Sequence, residues 1–185
     1  MVNKLTIHNA LEPFLDKPSE KIHLADISRE LKQPHPTVRL WLNNLEKHGV
    51  LKKKFQGRLT LYSLNLEHQN IIDYLVIAEK KKIISYSEKN PVLAELVSFI
   101  QNEIKADCLI FGSAAENFSN AQDIDLLIIG NETEPIRKFA ERLNKELHII
   151  NVPSLDKISK SLKTEITKKH LLVKGSENFV GWMLW

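Results

Sequence analysis

The chain has 185 residues, of which 43% are hydrophobic and 26% are charged, and its formal net charge is +3. This composition excludes a disordered chain, and a single cysteine, Cys108, excludes an internal disulfide framework and a cysteine-rich zinc site. No apolar run approaches the roughly 18 residues that a membrane span needs, and residues 1–5 hold no apolar signal-peptide core. We therefore expect a cytoplasmic protein without a membrane partner.

The positive charge is concentrated near the N-terminus. Residues 1–66 contain 11 Lys and Arg against 6 Asp and Glu, a net charge of +5. Residues 67–185 contain 15 basic against 17 acidic residues, a net charge of −2. This asymmetry predicts an anionic partner for the first third of the chain.

The first third of the chain predicts three helices and then a hairpin. The predicted helices are residues 5–15, 23–31 and 36–48. The third helix carries an apolar stripe at spacings of three and four, and Gly49 follows it as a C-terminal cap. The stripe consists of Val38, Trp41, Leu42 and Leu45. Residues 50–55 and 59–64 predict two strands around a turn that contains Gly57.

The rest of the chain predicts a connecting helix and then alternating helices and strands. Residues 67–85 contain no Gly or Pro, and a break at residues 87–91 predicts a domain boundary. The predicted helices beyond it are residues 92–104, 135–147 and 155–169, and the predicted strands are residues 108–111, 124–129, 148–152 and 171–173. We expect an α+β chain with domains at residues 1–66 and 90–185, joined by a linker helix at 67–89, and an α/β second domain with a small mixed sheet.

The sequences of residues 26–31 and 36–51 resemble those of winged helix-turn-helix domains in MarR/ArsR-like regulators, and the resemblance covers residues 4–64. It implies that the third helix enters the major groove of DNA. The polar residues that the buried stripe leaves outward, which would reach base edges, are His35, Thr37, Arg39, Asn43 and Asn44. The hairpin residues suited to phosphates are Lys52, Lys53, Lys54 and Arg58. The alternative is that these lysines only protect a strand edge, or that the domain binds protein.

A second resemblance rests on Gly112-Ser113 and Asp123-Ile124-Asp125, in a predicted strand, turn, helix and strand. This run resembles the nucleotidyltransferase superfamily that includes DNA polymerase beta, and in particular its minimal members, over residues 90–152. Strand periodicity puts Asp123 and Asp125 on one face, where paired carboxylates suit Mg²⁺. Gly112 and Ser113 are suited to bind the phosphates of a nucleoside triphosphate. The resemblance implies that Asp123 and Asp125 are catalytic metal ligands.

The chain departs from this family at the third acidic position. Relatives usually carry that residue on the strand after the next helix, and with a strand at residues 148–152 the position falls on Asn151. An amide is a weaker ligand and cannot act as a base, so we expect reduced activity. Glu146 or Asp156 would take the position only with a different strand register. His148 is either a ligand or an ordinary strand histidine.

Two functions from different classes follow. The first is a DNA-binding transcriptional regulator, expected as a homodimer on palindromic double-stranded DNA, whose nucleotidyltransferase-like domain senses an NTP or mediates assembly. The alternative is a Mg²⁺-dependent nucleotidyltransferase of the toxin–antitoxin type, which acts with a partner protein and modifies a hydroxyl of a protein, an RNA or a small molecule. A scaffold that has lost both activities is the third reading.

Overall fold

The computed structural model describes residues 4–131, 133–142 and 145–185, and for residues 4–7 and 140 only the backbone. The described chain is α+β, with two small sheets. The described chain divides into two compact units, residues 4–78 and residues 79–183, and the division falls inside helix α4, Ile71–Lys89. Among the described residues, no helix combines the length and the apolarity needed to cross a membrane.

The first unit combines short helices with a three-stranded antiparallel sheet. Its elements are a 3-10 segment Lys4–Leu11, α1 Glu12–Leu15, β1 Ile22–His23, α2 Leu24–Glu30, α3 His35–Lys47, β2 Leu51–Gln56 and β3 Leu59–Leu64. The strand order is β1-β3-β2. Strand β1 was not predicted, because two residues are too few to show an alternating pattern; it forms by pairing with Tyr62 and Leu61 of β3.

The stripe predicted for α3 is confirmed, because all four of its residues are buried. Gly49 follows the helix with a φ of +74°, a conformation that favours glycine. Its N–H donates to the Glu46 carbonyl oxygen at 2.9 Å, and the N–H of Val50 donates to the Leu45 carbonyl oxygen at 2.9 Å. These bonds satisfy carbonyl groups that the helix end leaves without partners, so Gly49 ends the helix as predicted.

The second unit is built on a four-stranded mixed sheet. Its elements after α4 are α5 Pro91–Glu103, β4 Asp107–Phe111, α6 Gly112–Glu116, β5 Asp123–Ile129, α7 Glu134–Ala140, β6 Glu146–Val152, a 3-10 turn Leu155–Lys157, α8 Lys160–Lys168, β7 His170–Lys174 and α9 Ser176–Leu184. The strand order is β6-β5-β4-β7. Strands β5 and β6 are parallel, whereas β4 is antiparallel to both of its neighbours.

Helix α4 ends at Lys89, where the predicted linker helix ends, so the break predicted at residues 87–91 begins later than expected. The side chain of Asn90 then caps α5 by accepting from the Leu93 N–H at 3.0 Å. The helix predicted for residues 135–147 ends earlier, and Glu146 and Leu147 belong to β6. Pairing with β5 and packing of Leu147 against the apolar core stabilise this longer strand. Residues 143–144 of the predicted helix lie outside the described residues.

The core of the second unit packs apolar side chains of α5 against one face of the sheet. Its fully buried members include Leu96, Ile100, Cys108, Leu126 and Ile128. Burial raises the pKa of the Cys108 thiol to about 12. The thiolate is the reactive form of cysteine, so Cys108 is an inert core residue in the folded protein.

A buried hydrogen-bonded pair joins the start of the second unit to β7. Glu79 Oε1 lies 2.7 Å from His170 Nε2, and both side chains are almost completely inaccessible to solvent. The other ring nitrogen, His170 Nδ1, lies 2.9 Å from the Ile166 carbonyl oxygen. Burial raises the pKa of Glu79, but His170 and Lys82 outweigh it, and the pKa is lower than usual.

We predict that Glu79→Gln destabilises the protein by about 3–5 kcal/mol near neutral pH, because it removes one partner of a buried pair. Since the folded-state pKa of Glu79 is depressed, the ionised carboxylate stabilises the fold above its unfolded-state pKa. That contribution is lost as the pH falls through the folded-state value. Urea unfolding between pH 3 and 7, followed by circular dichroism, measures both effects.

The matched control is Glu103→Gln, which changes an exposed carboxylate on α5. It should leave the unfolding free energy within about 0.5 kcal/mol of the wild type. An equal loss in both variants, or an unaltered acid dependence in Glu79→Gln, would contradict a stabilising charge at this position.

Candidate functional site

The parallel pairing of β5 with β6 brings four polar side chains together. Asp123 lies opposite Glu146, and Asp125 lies opposite His148. Residues two apart on a strand point to the same face, and Ile124 between the two aspartates is buried in the core. The face that carries Asp123 and Asp125 therefore also carries Glu146 and His148.

Distances within this cluster are short. His148 Nδ1 lies 3.5 Å from Asp123 Oδ2 and 3.4 Å from Asp125 Oδ1, whereas His148 Nε2 lies 3.2 Å from Glu146 Oε1. Asp123, Asp125 and His148 offer one ligand atom each, and these atoms all lie within 4.8 Å of one another. Carboxylate oxygens and an imidazole nitrogen are ordinary ligands of divalent metals. These three residues could hold a metal ion.

The prediction that Asn151 takes the third position is wrong. Asn151 pairs with Ile128, three residues along the strand from the His148 pair. An odd number of residues along a strand reverses the face, so Asn151 lies on the side opposite the cluster. The strand begins at Glu146, two residues earlier than predicted, and this register puts His148 beside Asp125 and Glu146 beside Asp123.

The charges in the cluster affect one another. Partial burial, and then the neighbouring Asp123 carboxylate, raise the pKa of Asp125, and His148 offsets part of that rise. The hydrogen bond with Glu146 is the main cause that raises the pKa of His148, and the two aspartates add to it. Two carboxylates held side by side favour a positive group between them.

Gly112 allows Asp125 to sit at the end of β4. Its φ is +69°, and a Cβ at this position would lie 2.6 Å from Asp125 Oδ2. A side chain at residue 112 would therefore displace the carboxylate. Next to it, the exposed Ser113 hydroxyl donates to Asp123 Oδ1 at a long 3.4 Å. The Gly-Ser pair and the two aspartates are thus brought into one site, as predicted.

A cleft of about 640 Å³ adjoins this site within the second unit. It is lined by Gly112, Ser113, Glu116, Ser161, Thr164, Glu165, Lys168 and Lys169. The N–H of Gly112 donates to the Lys169 carbonyl oxygen at 3.2 Å, which ties the two sides of the cleft together. The α8 residues were missed by sequence reasoning, because only the pairing of β7 with β4 brings α8 beside α6.

In the first unit, α3 and the hairpin β2–β3 are joined through Asn43. Asn43 Oδ1 accepts hydrogen bonds from Lys53 Nζ at 2.9 Å and from the Tyr62 hydroxyl at 3.0 Å. Burial raises the pKa of Tyr62, and the charge of Arg39 opposes this shift. Arg39 and Asn43 are four residues apart on α3 and so lie on the same face of the helix. The ammonium of Lys53 also lies over the Phe55 ring, 5.4 Å from its centre.

The other predicted DNA-contact residues differ in their exposure to solvent and in their contacts within the protein. On α3, His35 and Arg39 are exposed, whereas Thr37 and Asn44 are half-buried. On the hairpin, Lys54 and Arg58 are exposed, and Lys52 forms an ion pair with Glu67 at 2.8 Å. Three members of the predicted set, Asn43, Lys52 and Lys53, thus already have partners within the protein. The link through Tyr62 was not predicted, since no local pattern distinguishes it from another strand tyrosine.

Comparison of the chain with models of protein families, with curated proteins and with solved structures gave no match.

We predict that Gly112→Ala and Gly57→Ala each destabilise the protein by about 1–2 kcal/mol, because both glycines have a positive φ. Only Gly112→Ala should also move the Asp125 carboxylate, since a Cβ at residue 57 meets no atom within 4 Å. Thermal unfolding measures the first effect, and the NMR shifts of the His148 ring measure the second. His148 resonances that move equally in both variants would contradict the close approach of Gly112 to Asp125.

Proposed function

We propose that the chain is a DNA-binding regulator, in which a winged helix-turn-helix unit reads duplex DNA and a nucleotidyltransferase-like unit binds a nucleotide or mediates assembly. The observation that carries the proposal is the link from Asn43 to Lys53 and Tyr62. It fixes a basic hairpin beside α3, and a helix flanked by a basic hairpin suits a groove flanked by phosphates.

The exposed surface of α3 supports this proposal. Arg39 is exposed on the N-terminal half of the helix, the part that meets base edges in helix-turn-helix proteins. A guanidinium pairs with guanine through two hydrogen bonds. Lys53, Lys54 and Arg58 on the hairpin provide positive charge for phosphates, which supplies affinity without sequence selectivity. We propose a homodimer, because operators read by this class of domain are usually two-fold symmetric.

We predict that Arg39→Ala lowers the affinity for a preferred duplex by about 1–3 kcal/mol and relaxes the preference at one base pair. Lys53→Ala should instead weaken binding to all duplexes alike and reduce the salt dependence, because it removes a phosphate contact. The preferred duplex is first selected from a random-sequence pool, and fluorescence anisotropy at several salt concentrations then gives both quantities.

Lys138→Ala is the matched control, since it removes one exposed positive charge from α7 of the second unit. It should change the affinity much less than Lys53→Ala. Selection that enriches no sequence, or equal effects of Lys53→Ala and Lys138→Ala, would count against DNA binding by the first unit.

A second function, metal-dependent nucleotidyl transfer, is favoured by the arrangement of Asp123, Asp125 and His148 beside Gly112 and Ser113. A metal ion at this cluster would neutralise phosphate charge, and the chain's own contribution would be to orient it and to present the Ser113 hydroxyl. The adjoining cleft of about 640 Å³ falls in the size range of nucleotide-sized pockets. The acceptor would be a hydroxyl of a protein, an RNA or a small molecule.

We predict that Mg²⁺–ATP raises the thermal stability of the wild type, by about 2.7 kcal/mol at a hundredfold excess over the dissociation constant. Asp125→Asn should abolish this increase, because it removes a charged ligand atom from the cluster. Asp156→Asn removes an exposed carboxylate on the 3-10 turn and should keep the increase. No increase with any nucleoside triphosphate in the wild type, with either Mg²⁺ or Co²⁺ present, would reject nucleotide binding at this site.

A further inference from the structure

The imidazole of His148 is held in an orientation typical of metal-bound histidines. Histidines that bind a metal through one ring nitrogen usually donate the other N–H to a carboxylate, which fixes the tautomer and the ring plane. His148 has this arrangement: Nε2 lies 3.2 Å from Glu146 Oε1, and Nδ1 is aimed between Asp123 and Asp125. Glu146 would thus act as a positioning residue behind the ligand.

The Nδ1 atom of His148 and one oxygen of each aspartate carboxylate converge on the same space. Two carboxylates held this close to each other favour a cation between them. The distances of 3.4 and 3.5 Å from Nδ1 to the carboxylate oxygens also exceed those of good hydrogen bonds.

Two of the three distances between donor atoms are close to those of a four-coordinate ion. A tetrahedral ion with bonds of about 2.1 Å needs ligand atoms about 3.4 Å apart. An octahedral ion such as Mg²⁺, with bonds of similar length, needs neighbouring ligand atoms about 3.0 Å apart. The two distances from His148 Nδ1 match the tetrahedral value.

Donor chemistry leads to the same conclusion. Mg²⁺ prefers oxygen ligands and keeps several of its waters, whereas imidazole nitrogen suits Zn²⁺ and related transition metals. Two carboxylates and one imidazole make three protein ligands, the number found in catalytic zinc sites, where a fourth position stays open. The cluster is partly exposed, and Asp123 is bonded to Ser113, which lines the cleft.

We propose that Asp123, Asp125 and His148 form a site for a divalent ion of the Zn²⁺ or Co²⁺ type in preference to Mg²⁺, with Glu146 positioning His148. The inference deepens the second proposed function, because it names the ion of that site. His148 takes the place of the third carboxylate found in the family that the chain resembles. It thereby determines which metal ion the site prefers.

The test titrates the full chain, without a histidine tag, with Co²⁺, Zn²⁺ and Mg²⁺ by calorimetry, and follows Co²⁺ by its visible absorption bands. We expect the wild type to bind Co²⁺ more than about tenfold tighter than Mg²⁺, with the intense bands of a four-coordinate site. Glu146→Gln should weaken Co²⁺ binding by about 10–100-fold. It should also change the absorption bands, which a loss of general stability would not do.

Substituting aspartate at two positions of β6 separates the loss of the His148 ligand from the effect of added negative charge. His148→Asp should weaken Co²⁺ binding and remove the preference over Mg²⁺, because it converts the donor set to three carboxylates. Asn151→Asp adds the same charge on the opposite face of β6 and should leave all three affinities unchanged. Circular dichroism verifies that both variants are folded, and Zn²⁺ titration of Asp125→Asn provides a further measurement at a second ligand.

Equal affinities for Co²⁺ and Mg²⁺ in the wild type, or an unchanged preference in His148→Asp, would overturn the inference. So would absence of binding, which would mean that a protonated His148 merely bridges the two carboxylates. Because the titrations contain ions alone, they are independent of the Mg²⁺–ATP experiment. A chain that binds Co²⁺ through His148 but no nucleotide would reject nucleotidyl transfer and retain the metal site.

Discussion

Two carboxylates held on the same face of one strand repel each other, and the arrangement around β5 compensates for that repulsion. Strand β6 contributes an imidazole that faces both groups, and Gly112 leaves room for Asp125 at the end of β4. Ser113 adds a hydroxyl that donates to Asp123. The compensating groups come from two distant stretches of the chain, residues 112–113 and β6, so the site depends on correct pairing of the sheet.

In the first unit, contacts within the protein hold the long, flexible side chain of Lys53 in a defined place. Lys53 is held by the Asn43 amide oxygen and lies over aromatic rings of Phe55 and Tyr62. A lysine fixed in this way has already lost part of its side-chain entropy, so less is lost when it meets an anion. The cost is that the Asn43 oxygen is no longer available as an acceptor for a base.

Features that are set by neighbouring residues could be predicted from the sequence, whereas features that depend on distant segments could not. The stripe of α3 and the cap at Gly49 follow from spacing along short stretches, and the structure confirms both. The grouping of Gly112-Ser113 with Asp123 and Asp125 was implied by the resemblance, and the pairing of β4 with β5 brings these residues together. The residue beside Asp125 could not be predicted, because the register of a parallel pair is set by contacts between distant segments. Glu-x-His at residues 146 and 148 was a usable signal only once both were known to be in a strand.

Cys108 gives the protein a chemical property of practical value. Its thiol is buried in the core of the second unit with a pKa of about 12, so alkylating reagents meet no reactive sulfur while that core is closed. The rate of its modification therefore reports the opening of the second unit alone, because the first unit contains no cysteine. Because Cys108 does not react in the folded protein, it need not be replaced before labelling. A single cysteine introduced at the surface, for example on the hairpin, would then carry a probe at one known position.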